Sequence, residues 1–347
     1  VVALTVLLVG IFLRSIDLGQ AWRATLAANP GWIAAAIVVT LQTYALRAWR
    51  WQSLLEPIGR ASFRTAFRTT IIGFAATFLL PARIGEILRP YLLARKERLN
   101  PAAAFATVIV ERMLDLCTVL FLFALALALA DVDVAAEVET AGIIAAAASA
   151  ACLGVLFVLA GHPERLGNWV GRLAGSLPPK VGQVLGHLVK TFVEGLRVMR
   201  SPGHLAVAIA WSIPLWLSIA LGILLVSWAF GLTLSFVGSF LVVGYLAIGV
   251  AAPTPGAAGG FHYMYLAAMT SFFAAPPDSA GAAAIVLHLV SFVPVTALGL
   301  LYMWQDGLTL GRLKRMRTQA AGALDDGEPA GQAAQSISRS PDVDVRR

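Results

Sequence analysis

Residues 71–89 read Ile71-Ile-Gly-Phe-Ala-Ala-Thr-Phe-Leu-Leu-Pro-Ala-Arg-Ile-Gly-Glu-Ile-Leu-Arg89. Ten almost wholly apolar residues run into Pro81, and three charges follow within nine positions. Proline lacks the N–H that a helix interior needs, and Gly85 allows a turn or a close backbone approach. The hydrophobic segment 69–94 therefore reads as two half-helices that enter a membrane and leave by the same face. A second segment, 234–274, is broken in the same way by Pro253-Thr-Pro-Gly256 and Gly259-Gly260.

Working outward, uninterrupted apolar runs cover 1–13, 31–46, 102–130, 141–160, 205–229 and 280–304. Of the 347 residues, 59% are hydrophobic and only 13% charged, with a mean hydropathy of +0.78. A soluble domain carries about 25% charge. Lipid is then much of the solvent, and Leu- and Ala-rich runs without period-2 alternation choose helices over a barrel. The expected fold is an all-α integral membrane protein of about six full transmembrane helices plus two broken re-entrant hairpins. Soluble enzymes, disulfide scaffolds and nucleic-acid modules are excluded. Cys117 and Cys152 sit in apolar runs and suggest neither a disulfide nor a metal site, and no cofactor is expected.

Basic residues set the orientation. Arg47, Arg50, Arg60, Arg64 and Arg68, then Arg95, Lys96 and Arg98, then six between Arg165 and Arg200, then Arg312, Lys314, Arg315 and Arg317 fall on one side. The other side holds Arg14 and Arg23 with Asp131, Asp133, Glu137, Glu139 and Asp278. The positive-inside bias makes the first side cytoplasmic, both termini included, in a bacterial inner membrane. Val1–Leu13 lacks a preceding basic stretch and reads as part of a first span. The polytopic domain extends over 1–305. Within it, 163–200 has apolar residues at helical spacing amid Arg and Lys, as in helices lying on an anionic leaflet or in a solvated connector. Residues 306–347 read as a basic, then disordered, cytoplasmic tail.

The two broken segments resemble each other. Ser62-Phe63 precedes Pro81 by about the interval at which Ser235-Phe236 precedes Pro255, and each segment is followed by an Ala-rich span with polar groups at a similar offset: Glu111 and Arg112, then His288. Three full spans separate the segments, so the copies must be inverted. Inverted repeats with interrupted helices are the architecture of secondary transporters.

Charges in lipid cost roughly +2.5 to +3.5 kcal/mol each at mid-bilayer. Arg83, Glu86, Arg89, Glu111, Arg112 and Asp115 must therefore face one another or a wet cavity. Glu111 lies about 16 Å along its helix from Asn100, at ~1.5 Å per residue. The six sum to neutrality. Free N–H groups at the helix start after Gly85, with Arg83 beside them, suit an oxyanion, and Glu86 can bridge Arg83 and Arg89. These groups either clamp the re-entrant helices or hold a ligand. In the second segment Gly256 can expose backbone amides, and His262 either carries a proton or packs. Arg47, Arg50 and Trp51 are accounted for as interfacial anchors.

Leu46-Arg-Ala-Trp-Arg-Trp51, Pro81-Ala-Arg-Ile-Gly-Glu-Ile-Leu-Arg89, Glu111-Arg-Met-Leu-Asp115 and Pro253-Thr-Pro-Gly256 together resemble the flippase-like membrane family that includes the transmembrane region of lysylphosphatidylglycerol synthases. The resemblance covers the chain to about residue 305. It implies movement of a lipid with an anionic or modified head group between leaflets, as a stand-alone member without the synthase domain. Relatives often carry an acid after the second Pro-Gly turn, where this chain has His262, a departure that bears on ion coupling and head-group preference.

The leading expectation is thus a lipid flippase, not an enzyme, with Arg83, Arg89 and Arg112 holding a phosphate. Protonation of Glu86, Glu111, Asp115 or His262 would couple it to a proton gradient. No G-x-x-x-x-G-K-[ST] loop is present to use a nucleotide. The alternatives are an intramembrane transferase acting on a polyprenyl-phosphate or phospholipid, with Glu111 or Asp115 as base, and a scaffold recruiting a lipid-modifying enzyme partner through 163–200. No nucleic-acid partner is expected.

Overall fold

A computed structural model describes residues 2–80, 83–129, 140, 142–151, 154, 202–252 and 254–308. The expectations for 163–200, for the acids between 131 and 139, for Cys152 and for the tail beyond 308 lie outside the described residues. Among the described residues every regular element is helical.

In chain order the helices are α1 (Val2–Arg14), α2 (Leu18–Ala27), α3 (Pro30–Leu55), α4 (Phe63–Leu79), α5 (Gly85–Glu97), α6 (Pro101–Leu129), α7 (Gly142–Ala151), α8 (Pro202–Ala229), α9 (Gly238–Ala251), α10 (Gly260–Phe273) and α11 (Pro277–Gln305). Four of them, α3, α6, α8 and α11, are long and apolar enough to cross a membrane. These supply four of the six expected spans. The first expected span falls on α1, which is 13 residues long and bends by 78° into α2, so that the two together form one broken element. Asp17 accepts from the Gln20 N–H and caps the second arm. The fourth expected span, 141–160, is described only as α7.

Long helices fix the ends of the bundle. α3 and α8 run antiparallel: Asn29 donates its N–H to Ala229 O at one end, and Glu56 pairs with His204 at the other. The first hairpin, α4–α5, opens at the Glu97 end, where the Ser62 N–H and hydroxyl both reach Glu97 Oε1 at 3.1 and 2.9 Å. Neither of its arms spans a bilayer alone, since 17 residues at ~1.5 Å reach about 25 Å. The second hairpin, α9–α10, opens at the far end, where Gly238 meets the Phe273 ring. α11 separates the two mouths, with Asp278 in its first turn and Asp306 just past its end bonded to Arg68 and Lys96. The hairpins therefore enter from opposite ends, as an inverted repeat requires.

Each hairpin closes on glycine. A Cβ at Gly85 would collide with the Gly73 carbonyl and the Thr77 side chain, and a Cβ at Gly260 would lie 2.6 Å from Gly249 O. Such contacts let antiparallel backbones pack in the absence of a hydrophobic driving force between helices. The Ser-Phe pairs are the caps that start each hairpin: Ser62 Oγ accepts from the Thr65 N–H, and Ser235 Oγ from the Gly238 N–H. At mid-depth the tips meet. Phe78 packs against Phe292 at 4.4 Å between ring centroids, and Arg83 donates to Val250 O at 2.7 Å.

Candidate functional site

At the first hairpin, α3, α5 and α6 bring together six charged side chains, joined by Ser212 and Trp216 of α8. Three lie within five residues of α6. Glu111 and Asp115, four residues apart, share a face, and Arg112 lies beside them. α3 contributes Arg47 and Arg50, about 12 and 8 Å from its end at ~1.5 Å per residue, and α5 contributes Arg89.

Glu111 is the hub. Its Oε1 receives Arg89 Nη1 at 2.9 Å and Arg112 Nη2 at 3.1 Å, and stands 3.3 Å from Arg50 Nη2. Asp115 Oδ1 accepts from Arg50 Nη1 at 2.7 Å and from Trp216 Nε1 at 3.1 Å, while its Oδ2 is 3.5 Å from both Arg47 and Arg112. Ser212 on α8 accepts from Arg50 as well. Aromatic faces cover the cations. Arg89 lies 3.9 Å over the Trp51 ring, which is anchored by its own N–H to Thr107, and Arg47 lies 5.1 Å from the Phe74 centroid. Arg50 and Glu111 have no exposed side-chain surface at all, whereas Arg112 is 38% exposed.

The balance of charge is uneven. Among the described residues, the carboxylates ion-paired with Arg47, Arg50, Arg89 and Arg112 are Glu111 and Asp115, a formal excess of two positive charges within these pairs. Several polar atoms find no hydrogen-bond partner among the described residues, including Nε and Nη2 of Arg89, Nε of Arg112 and Oε2 of Glu111. Arg89 and Arg112 line a small cavity with Gly73, Phe74, Thr77, Gly85, Glu86 and Val108. It has room for about 20 Å³ of water-sized contents, roughly one molecule. Pro90, inside α5, also withholds the N–H that would bond the Glu86 carbonyl at this wall.

Arg89, Glu111, Arg112 and Asp115 are thus gathered as expected, with Gly85 and Glu86 at the cavity wall. Arg83 is not. It stands at the hairpin tip with 48% of its side chain exposed, bonded to α9 and 3.6 Å from Glu86. Its backbone has a φ of 51°, which breaks the regular helix start that an oxyanion site with Arg83 would need. Glu86 pairs with Arg83 and has no ion pair to Arg89. The six expected charges therefore do not form one neutral set. Gly256 and His262 lie together at the second tip and belong to a different locus. Arg47 and Arg50, read as interfacial anchors, are buried members of the cluster. Their spacing with Trp51 (i, i+3, i+4) placed all three on one face of α3, a signal that was present in the sequence.

Fold and site define a multi-pass α-helical membrane protein with two inverted, tip-to-tip hairpins and an intramembrane arginine–carboxylate cluster. The chain belongs to the family described as the lysylphosphatidylglycerol synthase TM region, which matches residues 1–299. Three relatives are similar to parts or most of it. Glycosyltransferase AglD of Haloferax volcanii is 29% identical over 119 residues, 33% of this chain and 19% of that protein. A UPF0104 membrane protein of Methanocaldococcus jannaschii is 28% identical over 109 residues, 30% of this chain and 32% of the relative. A UPF0104 membrane protein of Methanothermobacter thermautotrophicus is 25% identical over 298 residues, 81% of this chain and 87% of the relative. The matches therefore span about a fifth and a third of the first two relatives and most of the third. Family membership makes this a membrane protein with a lipid-related role.

Proposed function

We propose that this chain is a lipid flippase or transporter that moves a lipid with an anionic or modified head group between leaflets. The observation that carries the reading is the excess, among the described residues, of two guanidinium charges in the ion pairs around Glu111 and Asp115. Buried charge without a counter-charge is costly. A phosphate next to Arg89 and Arg112 would offset it, and the glycine-lined wall of the hairpin would let it approach closely. The cavity is far smaller than a head group, so binding entails movement of α4 and α5 away from α6. Acyl or prenyl tails would stay in lipid throughout. The basic Glu97 end would face the cytoplasm of a bacterial inner membrane.

The test is transport in liposomes. Arg112, the most exposed member of the cluster, is the least disruptive to replace. An Arg112→Gln protein that folds normally should move fluorescent phospholipid at least about tenfold more slowly than the parent, equivalent to about 1.4 kcal/mol. Parental rates in a folded Arg112→Gln protein would remove the basis of the assignment.

A second reading is an intramembrane transferase acting on a polyprenyl-phosphate or phospholipid. The name of the Haloferax volcanii relative favours it, though the match covers 19% of that protein. Arginines that hold a phosphate beside a carboxylate would serve it as well. Purified protein incubated with radiolabelled lipid and donor separates the two: a new covalent product means transfer, redistribution alone means transport.

A further inference from the structure

At the tip of the second hairpin two imidazoles from different helices lie face to face. His262, in the first turn of α10, and His288, in α11, have ring centroids 4.6 Å apart and planes inclined by 31°. Each holds one strand of the tip. His262 Nδ1 accepts the Gly259 N–H at 3.3 Å, and His288 Nε2 lies 2.7 Å from the Gly256 carbonyl. A carbonyl only accepts and an N–H only donates, so these contacts fix both tautomers: His288 carries its proton on Nε2, and His262 on Nε2 as well, leaving Nδ1 bare. The turn they hold is strained. Gly256, Ala257 and Gly259 take φ values of 57°, 56° and 83°, in the left-handed region that an L-residue such as Ala257 rarely adopts.

The surroundings of the pair are aromatic. Phe12 from α1, Phe261 from α10 and Phe292 from α11 lie against the rings. No carboxylate or guanidinium of α1, α4, α10 or α11 pairs with either ring among the described residues. The charged groups at the tips are Arg83, bonded to Val250 O, and its partner Glu86.

We propose that His262 and His288 form a single proton-binding site whose occupancy sets the shape of the second hairpin tip. A proton taken up at His262 Nδ1 converts an acceptor into a donor facing the Gly259 N–H, so the bond that caps α10 is lost. A proton taken up at His288 Nδ1 leaves the Gly256 bond in place and sets a cation against the Phe292 ring, 4.3 Å away between centroids. Two protons at this separation oppose each other, so the pair binds one before the other. The site acts on the tip alone and does not depend on what the protein carries.

The experiment therefore measures no transport. Full-length protein with ¹⁵N-labelled histidine in lipid nanodiscs is titrated from pH 8 to about 4.5, spanning the range in which histidines change charge. A nitroxide at Ala258→Cys, in a Cys117→Ala/Cys152→Ala background, reports mobility of the tip by EPR. Both imidazole signals should titrate, and the mobile EPR fraction should rise about threefold on acidification. In His262→Asn, whose side-chain oxygen keeps the acceptor for Gly259 but does not titrate, the EPR spectrum should be independent of pH. In His288→Gln, which keeps a donor toward Gly256, the response should persist with a displaced midpoint. Imidazoles silent to pH 4.5, an acid response undiminished in His262→Asn, or an unmoved midpoint in His288→Gln would each overturn the proposal.

Discussion

At the first hairpin tip the backbone turns through Arg83 in the left-handed region and the side chain reaches across to Val250. At the second it turns through Gly256, Ala257 and Gly259, held by two histidines and enclosed by phenylalanine. The mouths, the serine caps and the glycine contacts correspond, yet the polar load does not. Six charged side chains stand behind the first hairpin, whereas the second is embedded in the large apolar cluster of Leu241, Val242, Tyr265, Met269 and Leu287. The repeat is therefore one of backbone shape. The buried charges gather at one copy, and the imidazole pair stands at the tip of the other.

The sharpest way to break that contrast is to remove its hub. Glu111→Gln leaves three arginines without their shared carboxylate, and loss of one partner from a buried ion pair costs about 3–5 kcal/mol. Thermal unfolding in detergent should show a large loss. The offset counterpart His288→Gln should lose far less, and equal losses would mean that the second half is as electrostatically committed as the first.

Next come the glycine contacts, where the hairpins should behave alike. Gly85→Ala and Gly260→Ala each force a methyl into a neighbouring carbonyl, an overpacking that costs about 1–3 kcal/mol. Unfolding midpoints should fall in both, and a neutral Gly260→Ala would break the parallel. Smaller still is Asp306→Asn, which cuts the Arg68 and Lys96 pairs at the first mouth. These groups are partly exposed, so the loss should be within about 1 kcal/mol and should shrink as salt is raised.

The smallest expected effect is a pH dependence at the same mouth. Partial burial raises the Glu97 carboxyl, but the hydroxyls of Thr65 and Ser62 and the Ser62 N–H outweigh it and hold the group below its usual range. A depressed carboxylate contributes stability above its unfolded pKa and loses it as pH falls through the folded one. Glu97→Gln should therefore lower stability slightly at neutral pH and flatten the curve on the acid side, with no change once the parent carboxyl is protonated.

Much of this was legible in the sequence, for identifiable reasons. Pro81 with Gly85, and Pro255 with Gly259, mark the breaks because backbone chemistry is local and proline and glycine carry it in their own covalent structure. Arg89, Glu111 and Asp115 could be placed because a charge in hydrocarbon has to find a partner. The bend between Arg14 and Leu18 was not legible, because hydropathy counts apolar residues and is blind to a change of helix direction. Arg47 and Arg50 were misjudged because a cation one or two turns from a helix end is equally compatible with snorkelling, and only the position of α6 and α8 decides otherwise. Arg83 failed in the opposite sense. Its spacing from Glu86 and Arg89 suits a helix, and a single left-handed residue turns it away.

α11 runs between the two mouths: Asp278 accepts from the Asp17 N–H near one end, His288 and Phe292 sit at mid-length, and Asp306 just past the other end is clasped by Arg68 and Lys96. Pro294 interrupts its ladder by denying the Val290 carbonyl a partner. α11 is nevertheless one unbroken helix from Pro277 to Gln305, and the missing bond leaves its ladder locally weaker just beyond Phe292.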